Sequence, residues 1–217
     1  MFSQAEENYL KAIYALEEKL QKNISTNILA NKTQTKASSV TDMLKKLAVK
    51  QLVVYKKHQG VKLTKTGKEA ALKVVRKHRL WECFLVNKLN YGWDEVHDIA
   101  EQLEHIKSET LIDRLEKFLK SPKFDPHGDP IPDKDGKIML IKTVNLLELK
   151  VGQKGILDNL KDSSDEFLKY LNKKNLALRD RIKVIDIEPF DNSIHIETKT
   201  HQLVISKKVA GNLNIKI

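Results

Sequence analysis

Apolar residues recur at three- and four-residue spacings through the first half of the chain and at two-residue spacings through the last third, so a helical part precedes a β-rich part. In QAEENYLKAIYALEEKL, residues 4–20, Tyr9, Leu10, Ile13, Tyr14 and Leu16 form one stripe and predict an amphipathic helix. STNILANKT predicts a short second helix, with Ile28 and Leu29 apolar, and a polar break follows from Lys32 to Lys36. Val40, Met43, Leu44 and Leu47 then repeat at i, i+3, i+4 and i+7, and Ser39-x-x-Asp42 has the form of a capping box for a third helix. Two short helices in tandem point to a helix-turn-helix. Behind them, QLVVYKKHQGVKLT predicts two strands, Leu52 to Tyr55 and Val61 to Leu63, reversed around Gln59-Gly60. A basic hairpin in that position is a wing.

A long helix is expected from about Thr66, with Leu72, Val75, Leu80, Phe84 and Leu85 inward, ending near Asn90-Tyr91-Gly92. Trp93 to His105 and Ser108 to Leu119 have the pattern of two further helices. Four of the five prolines then fall within SPKFDPHGDPIP, where no helix can continue, which places a domain boundary across 121–140. Beyond it, alternating runs such as RIKVIDIEPF and SIHIETKTHQLVISKK predict a small β domain with one helix around Asp165 to Leu171. The expected fold class is mainly α with a small β domain, divided at 1–65, 66–140 and 141–217.

Charge sharpens this division. The formal net charge is +10, and residues 1–70 carry thirteen Lys, no Arg and six acids, so the surplus lies on the winged helix-turn-helix. Clustered cations gain from releasing phosphate counterions, which makes double-stranded DNA the expected partner. No apolar run approaches the ~18 residues of a membrane span, and no charged-then-apolar leader opens the chain. With the single cysteine, Cys83, this points to a cytoplasmic protein without a membrane partner.

The segment VHDIAEQLEH concentrates a different chemistry. On a helix, His97, Glu101, Glu104 and His105 fall within an arc of about 100°, and the preceding helix offers His78 and Glu82 at i, i+4. Imidazoles and carboxylates without a thiolate suit Mn(II) or Fe(II), with Zn(II) as a substitute. The bland alternative is a solvated face on which Glu101 and Glu104 pair with Lys107 or Arg114. Cys83, Trp81 and Trp93 are expected in packed interiors, His127 in a turn, and His58 on the wing or against phosphate.

Taken in order, the winged helix-turn-helix, RKHRLWECFL, VHDIAEQLEH and DPHGDPIP resemble the iron- and manganese-dependent repressors of the DtxR/MntR family. The resemblance covers nearly the whole chain. It implies a helical dimerisation domain, a homodimer, and a C-terminal SH3-like (FeoA-like) β-barrel. It also implies an activating metal site of Glu101, Glu104, His105 and Asn8, an ancillary site of His78, Glu82 and His97, and a third-domain ligand at Glu166. The family places Met or Asp at the position of Asn8 and, in binuclear manganese members, Glu at the position of Lys11. An ammonium at Lys11 cannot ligate and repels a nearby cation. Glu101 stands where iron-type members carry Cys, which tilts the preference toward Mn(II).

As a DNA reader, the third helix would present Lys36, Ser38, Ser39, Thr41 and Asp42 to base edges, while Lys45, Lys46, Lys56 and Lys57 meet phosphates. A dimer would pair two such helices on a pseudo-palindromic operator. The expected function is a metal-responsive transcriptional repressor, not an enzyme. Two rivals stand beside it: a metallohydrolase, against which there is no HExxH and no nucleophile motif, and a winged-helix regulator whose carboxylates form only salt bridges and whose effector is not a metal.

Overall fold

A computed structural model describes residues 2–20, 23–57, 59–139 and 141–217, which leaves His58 outside the described residues. The chain forms two compact units, one of Met1–His78, Glu101–Ile112 and Pro132–Ile138, the other of Arg79–Ala100, Asp113–Ile131 and Met139–Ile217.

The first unit carries α1 (Gln4–Leu20), α2 (Thr26–Thr33), α3 (Ala37–Val49), β1 (Val53–Lys56), β2 (Gly60–Leu63) and the start of α4 (Lys65–Leu89). Its core follows the predicted stripes: Leu10 and Ile13 meet Leu29, Val40, Leu44 and Leu47, closed by Val61, Leu72 and Val75. Burying these side chains contributes roughly 1.5–3 kcal/mol each, which holds the short α2 and α3 that could not persist alone. β1 and β2 pair antiparallel, and Ile24 extends the pairing by exchanging backbone hydrogen bonds with Val61. The wing is thereby tied to the chain entering α2.

Helix ends in this unit differ from expectation at one point. The capping box lies on α1, where the Ser3 amide donates to the Glu6 carboxylate and the Glu6 amide donates to the Ser3 hydroxyl. α3 begins at Ala37 with Lys36 at its N-cap and no side-chain cap, so Ser39 lies inside the first turn and Asp42 faces Lys45 at 3.5 Å. Gln34 turns into the left-handed region, φ +50°, and this ends α2 early enough for α3 to start before Ser39. Lys50, just beyond α3, reaches Glu6 at 2.6 Å. Burial works against ionisation of that carboxyl, but the Lys50 ammonium and the Ser3 amide outweigh it and hold it below the usual range.

α5 is shorter than the periodicity implied. It spans His97–Leu103, because Asn90 turns out at φ +59° and the Gly92 amide is held by the Glu95 side chain, leaving 93–96 as turn. Glu104 and His105 fall in the turn after the helix. α6 (Glu109–Phe118) starts beyond Ser108, whose hydroxyl accepts from the Leu111 amide.

The second unit contains the predicted β domain. β3 (Val144–Asn145), β4 (Lys154–Leu160), β5 (Arg181–Ile187), β6 (Ile194–Glu197), β7 (Gln202–Ile205) and β8 (Leu213–Lys216) form one antiparallel sheet ordered β3-β8-β4-β5-β6-β7. α7 (Asp165–Lys173) lays Leu168 and Leu171 on its core, and a further short helix, α8 (Lys207–Ala210), went unpredicted. Trp93 packs against the same core and donates from its indole to Asn172 at 2.7 Å. The proline-rich loop is held to α4 by Arg79, which pairs with Asp125 at 3.4 Å and Asp129 at 3.3 Å. Gly128, at φ +87°, lets that loop lie against β4, where any side chain would overlap the Asp158 carbonyl. Among the described residues no helix is long and apolar enough to cross a membrane.

Gly67 fixes how closely α4 leaves the wing, since a Cβ there would overlap the Leu52 carbonyl. Gly67→Ala is expected to destabilise the protein by about 1–3 kcal/mol through overpacking, measured by urea denaturation. Unchanged stability would mean that this approach is slack.

Candidate metal centre

Ligand-type side chains gather in two places. In the first unit, α1 buries Leu10, Ile13 and Tyr14 in the core and offers Glu7 and Lys11, one turn apart, on another face. Facing them are Glu101 near the end of α5 and Glu104 and His105 in the following turn. Lys11 Nζ lies 2.7 Å from the Glu104 carboxylate and 3.2 Å from that of Glu101. His78 Nδ1 lies 2.6 Å from Glu104, and His105 Nδ1 lies 2.6 Å from Glu7. Glu104 has no exposed side-chain surface, so its charge depends on these partners.

Three expected ligands, Glu101, Glu104 and His105, therefore converge, with Glu7 beside them. Asn8 is exposed on α1, and Glu7 at the adjacent position is the α1 side chain that reaches His105. The partner of Glu101 and Glu104 is Lys11, rather than the Lys107 or Arg114 that a solvated helix face would supply. As placed, this group fits a metal ion poorly, because an ammonium already occupies two of its carboxylates.

The second unit holds the other group. Glu82 on α4 and Asp125 and His127 in the proline-rich loop are all buried, and each offers a ligand atom within 4.8 Å of the others. His97 Nδ1, at the start of α5, lies 3.5 Å from Glu82. His78, the remaining residue of the expected ancillary set, stands one turn before Glu82 on α4. His127 Nε2 donates to the Trp93 carbonyl at 2.8 Å, which fixes the ring and turns Nδ1 toward Glu82 at 3.7 Å. The loop is shaped for this by Asp125 Oδ1, which accepts from the amides of His127 and Asp129.

Electrostatics at this cluster favour a cation. Burial, and then the carboxylates of Asp129 and Glu82, push Asp125 up to about 7. Burial alone would lower His127, but its pairing with Glu82 and the field of Asp125 take it up to about 9. Buried carboxylates, one of them raised by its burial and its carboxylate neighbours, beside an imidazole of fixed orientation, fit a divalent ion. Cys83 does not join them: burial and the nearby carboxylates push its thiol up, and Sγ donates to the Phe124 carbonyl at 3.5 Å. The donor set is thus carboxylate and imidazole only.

Sequence reasoning assigned His127 to a turn and overlooked Asp125. Asp-x-His, two residues apart in a Pro/Gly loop, was the available signal, but only the fold carries it onto Glu82. Glu166 is exposed in the first turn of α7 and belongs to neither group.

The candidate DNA face is exposed at Lys36, Ser38, Ser39, Asp42, Lys45 and Lys46 along α3, and at Lys56 and Lys57 on the wing. Thr41 is half-buried, its hydroxyl donating to the Ala37 carbonyl at 2.9 Å.

Three family models match: the iron dependent repressor N-terminal DNA binding domain over residues 1–61, the iron dependent repressor metal binding and dimerisation domain over 64–133, and the FeoA domain over 144–217. A solved manganese-dependent transcriptional repressor in complex with manganese is 35% identical, covering 97% of this chain and 98% of that one with a TM-score of 0.88. The iron-dependent repressor IdeR of Mycobacterium leprae is 33% identical over 153 residues, 67% of this chain and 66% of its own length. A probable metal transport system membrane protein of Chlamydia trachomatis is 42% identical over 91 residues, 42% of this chain and 20% of that protein. The chain thus spans less than two thirds of the length of these two curated relatives.

Asp125 and His127 both hold their protons more tightly folded than unfolded. Each therefore contributes stability that is complete below its ordinary value, 3.8 or 6.5, and is lost as pH rises through about 7 or about 9. The thermal midpoint of the chelator-treated protein is expected to fall from pH 5 to pH 9, and His127→Gln to flatten the upper part of that fall. A wild-type midpoint constant from pH 6.5 to 9 would contradict the charged His127.

Proposed function

We propose that this chain, which belongs to the iron-dependent repressor family, is a DNA-binding transcriptional repressor of metal-homeostasis genes with Mn(II) or Fe(II) as corepressor. The observation that carries the reading is the buried Glu82, Asp125 and His127 cluster in a chain that also presents a winged helix-turn-helix. Residues 1–65 would bind DNA, 66–140 would bind metal and dimerise, and 141–217 would form the SH3-like domain. The site of action is the cytoplasm.

Glu82, Asp125 and His127 would hold the ion, joined by His97. The ion, when bound, supplies a positive charge on which these buried carboxylates and the imidazole converge. A donor set without thiolate favours Mn(II), with Fe(II) next and Zn(II) as a substitute. Glu101, Glu104 and His105, with Asn8 or its neighbour Glu7, are the residues through which α1 communicates with the turn after α5. Their pairing restricts how α1, and the helix-turn-helix packed on it, can move, which is the physical content of a coupling between effector and operator.

On the DNA side, the exposed start of α3 enters the major groove. Ser38, Ser39 and Thr41 allow close approach with weak base preference, Lys36 and Asp42 flank them, and Lys45, Lys46, Lys56 and Lys57 set affinity through phosphates. Phe118 at the end of α6 is 59% exposed beside Phe84, and Leu89 is 52% exposed, an apolar face that supports a homodimer on a pseudo-palindromic site.

Titrating Mn(II) into chelator-stripped protein, with fluorescence anisotropy on DNA from its own promoter region, tests the reading. Affinity is expected to rise with Mn(II) in the wild type, and Glu82→Gln to lose most of that rise. DNA binding that ignores Mn(II), Fe(II) and Zn(II) alike would sink the proposal. Lys46→Ala is expected to weaken binding at every sequence and to reduce the slope of log affinity against log salt by about 0.9, the loss of one phosphate contact. A change confined to one operator position would instead make Lys46 a base reader.

A further inference from the structure

Lys11 is a charged side chain pointed inward. Its side chain is 18% exposed, and its ammonium rests between Glu104, which has no exposed side-chain surface, and Glu101. One turn earlier on α1, Glu7 makes the opposite pairing, carboxylate to the His105 imidazole at 2.6 Å. The helix thus presents an acid and a base, and the segment 101–105 answers in reverse order, with two acids for Lys11 and an imidazole for Glu7. His78 hydrogen-bonds the same Glu104 oxygen as Lys11, Oε2, while the buried Oε1 has no hydrogen bond among the described residues and lies 3.8 Å from His105 Nε2.

A desolvated carboxylate must have a partner, and here the chain supplies one itself. An ammonium satisfies carboxylate oxygens through its three N–H donors but offers no lone pair to a metal. A divalent ion on the same oxygens would need to come within about 2.0–2.6 Å of them, leaving two cations in contact across one carboxylate pair. The ammonium and the ion exclude each other.

We propose that Lys11 is a tethered cation that takes the place of a metal ion on Glu101 and Glu104, clasping α1 to the turn after α5 without metal. The Glu82 cluster is then where the chain takes up its ion. For its regulatory meaning this rests on the repressor reading, but it is tested by metal stoichiometry, which does not involve DNA.

Chelator-stripped full-length protein is titrated with Mn(II), and the free ion is followed by electron paramagnetic resonance. The wild type is expected to bind one Mn(II) per chain, Lys11→Arg to behave the same, and Lys11→Gln or Lys11→Met to bind two, the added site at least tenfold tighter than any second binding by the wild type. A wild type that takes two ions with similar affinity, or folded Lys11 variants that take no more than the wild type, overturns the proposal. Should the variants unfold, the wild type still decides. Reductive methylation is expected to leave Lys11 protected with and without one equivalent of Mn(II), and protection lost on adding Mn(II) overturns the clasp. Absence of a DNA response to metal would defeat the repressor reading while leaving the Mn(II) count to judge Lys11.

Discussion

The buried carboxylate of Glu104 is the constraint around which the first unit is organised. A charge without solvent exposure is tolerated only where partners replace its hydration, and here Lys11 from α1 and His78 from α4 both hydrogen-bond Glu104 Oε2, at 2.7 and 2.6 Å. Three segments distant in sequence meet at one group. Because α1 buries its opposite face under α2 and α3, whatever fixes α1 at Lys11 also fixes the DNA-binding helices.

The second unit answers the same difficulty differently. Glu82 and Asp125 are buried near one another, and burial first, then the carboxylates of Asp129 and Glu82, raise Asp125 against the opposing field of Arg79 and His127. The loop bearing Asp125 and His127 is nonetheless well anchored, by Arg79 to α4, by the Trp93 carbonyl to His127, and by Gly128 against β4. Anchored carboxylate and imidazole donors are the preorganisation a divalent ion requires.

Much of the architecture was legible from periodicity. The helices of the winged domain, the hairpin, the long α4 and the alternating strands follow from apolar spacing, which is local. Local rules misplaced details where several positions competed. Ser39-x-x-Asp42 matched a capping box as well as Ser3-x-x-Glu6 did, but the left-handed Gln34 started α3 too early for the former. The helical pattern through 93–105 was broken at both ends by turns, so Glu104 and His105 lie beyond α5 and their directions could not be read from helix geometry.

Residue types alone determined that this chain has a basic winged helix-turn-helix, a carboxylate and imidazole chemistry without thiolate, and a small β domain. Those conclusions depend on composition and on spacing within single elements. The tertiary structure decided which charged groups face each other: Lys11 with Glu101 and Glu104, Glu7 in place of Asn8 toward His105, and Asp125 with His127 onto Glu82. Such pairings join positions 90 to 98 residues apart or bring a loop onto a helix, and only the packing of the intervening core sets that register.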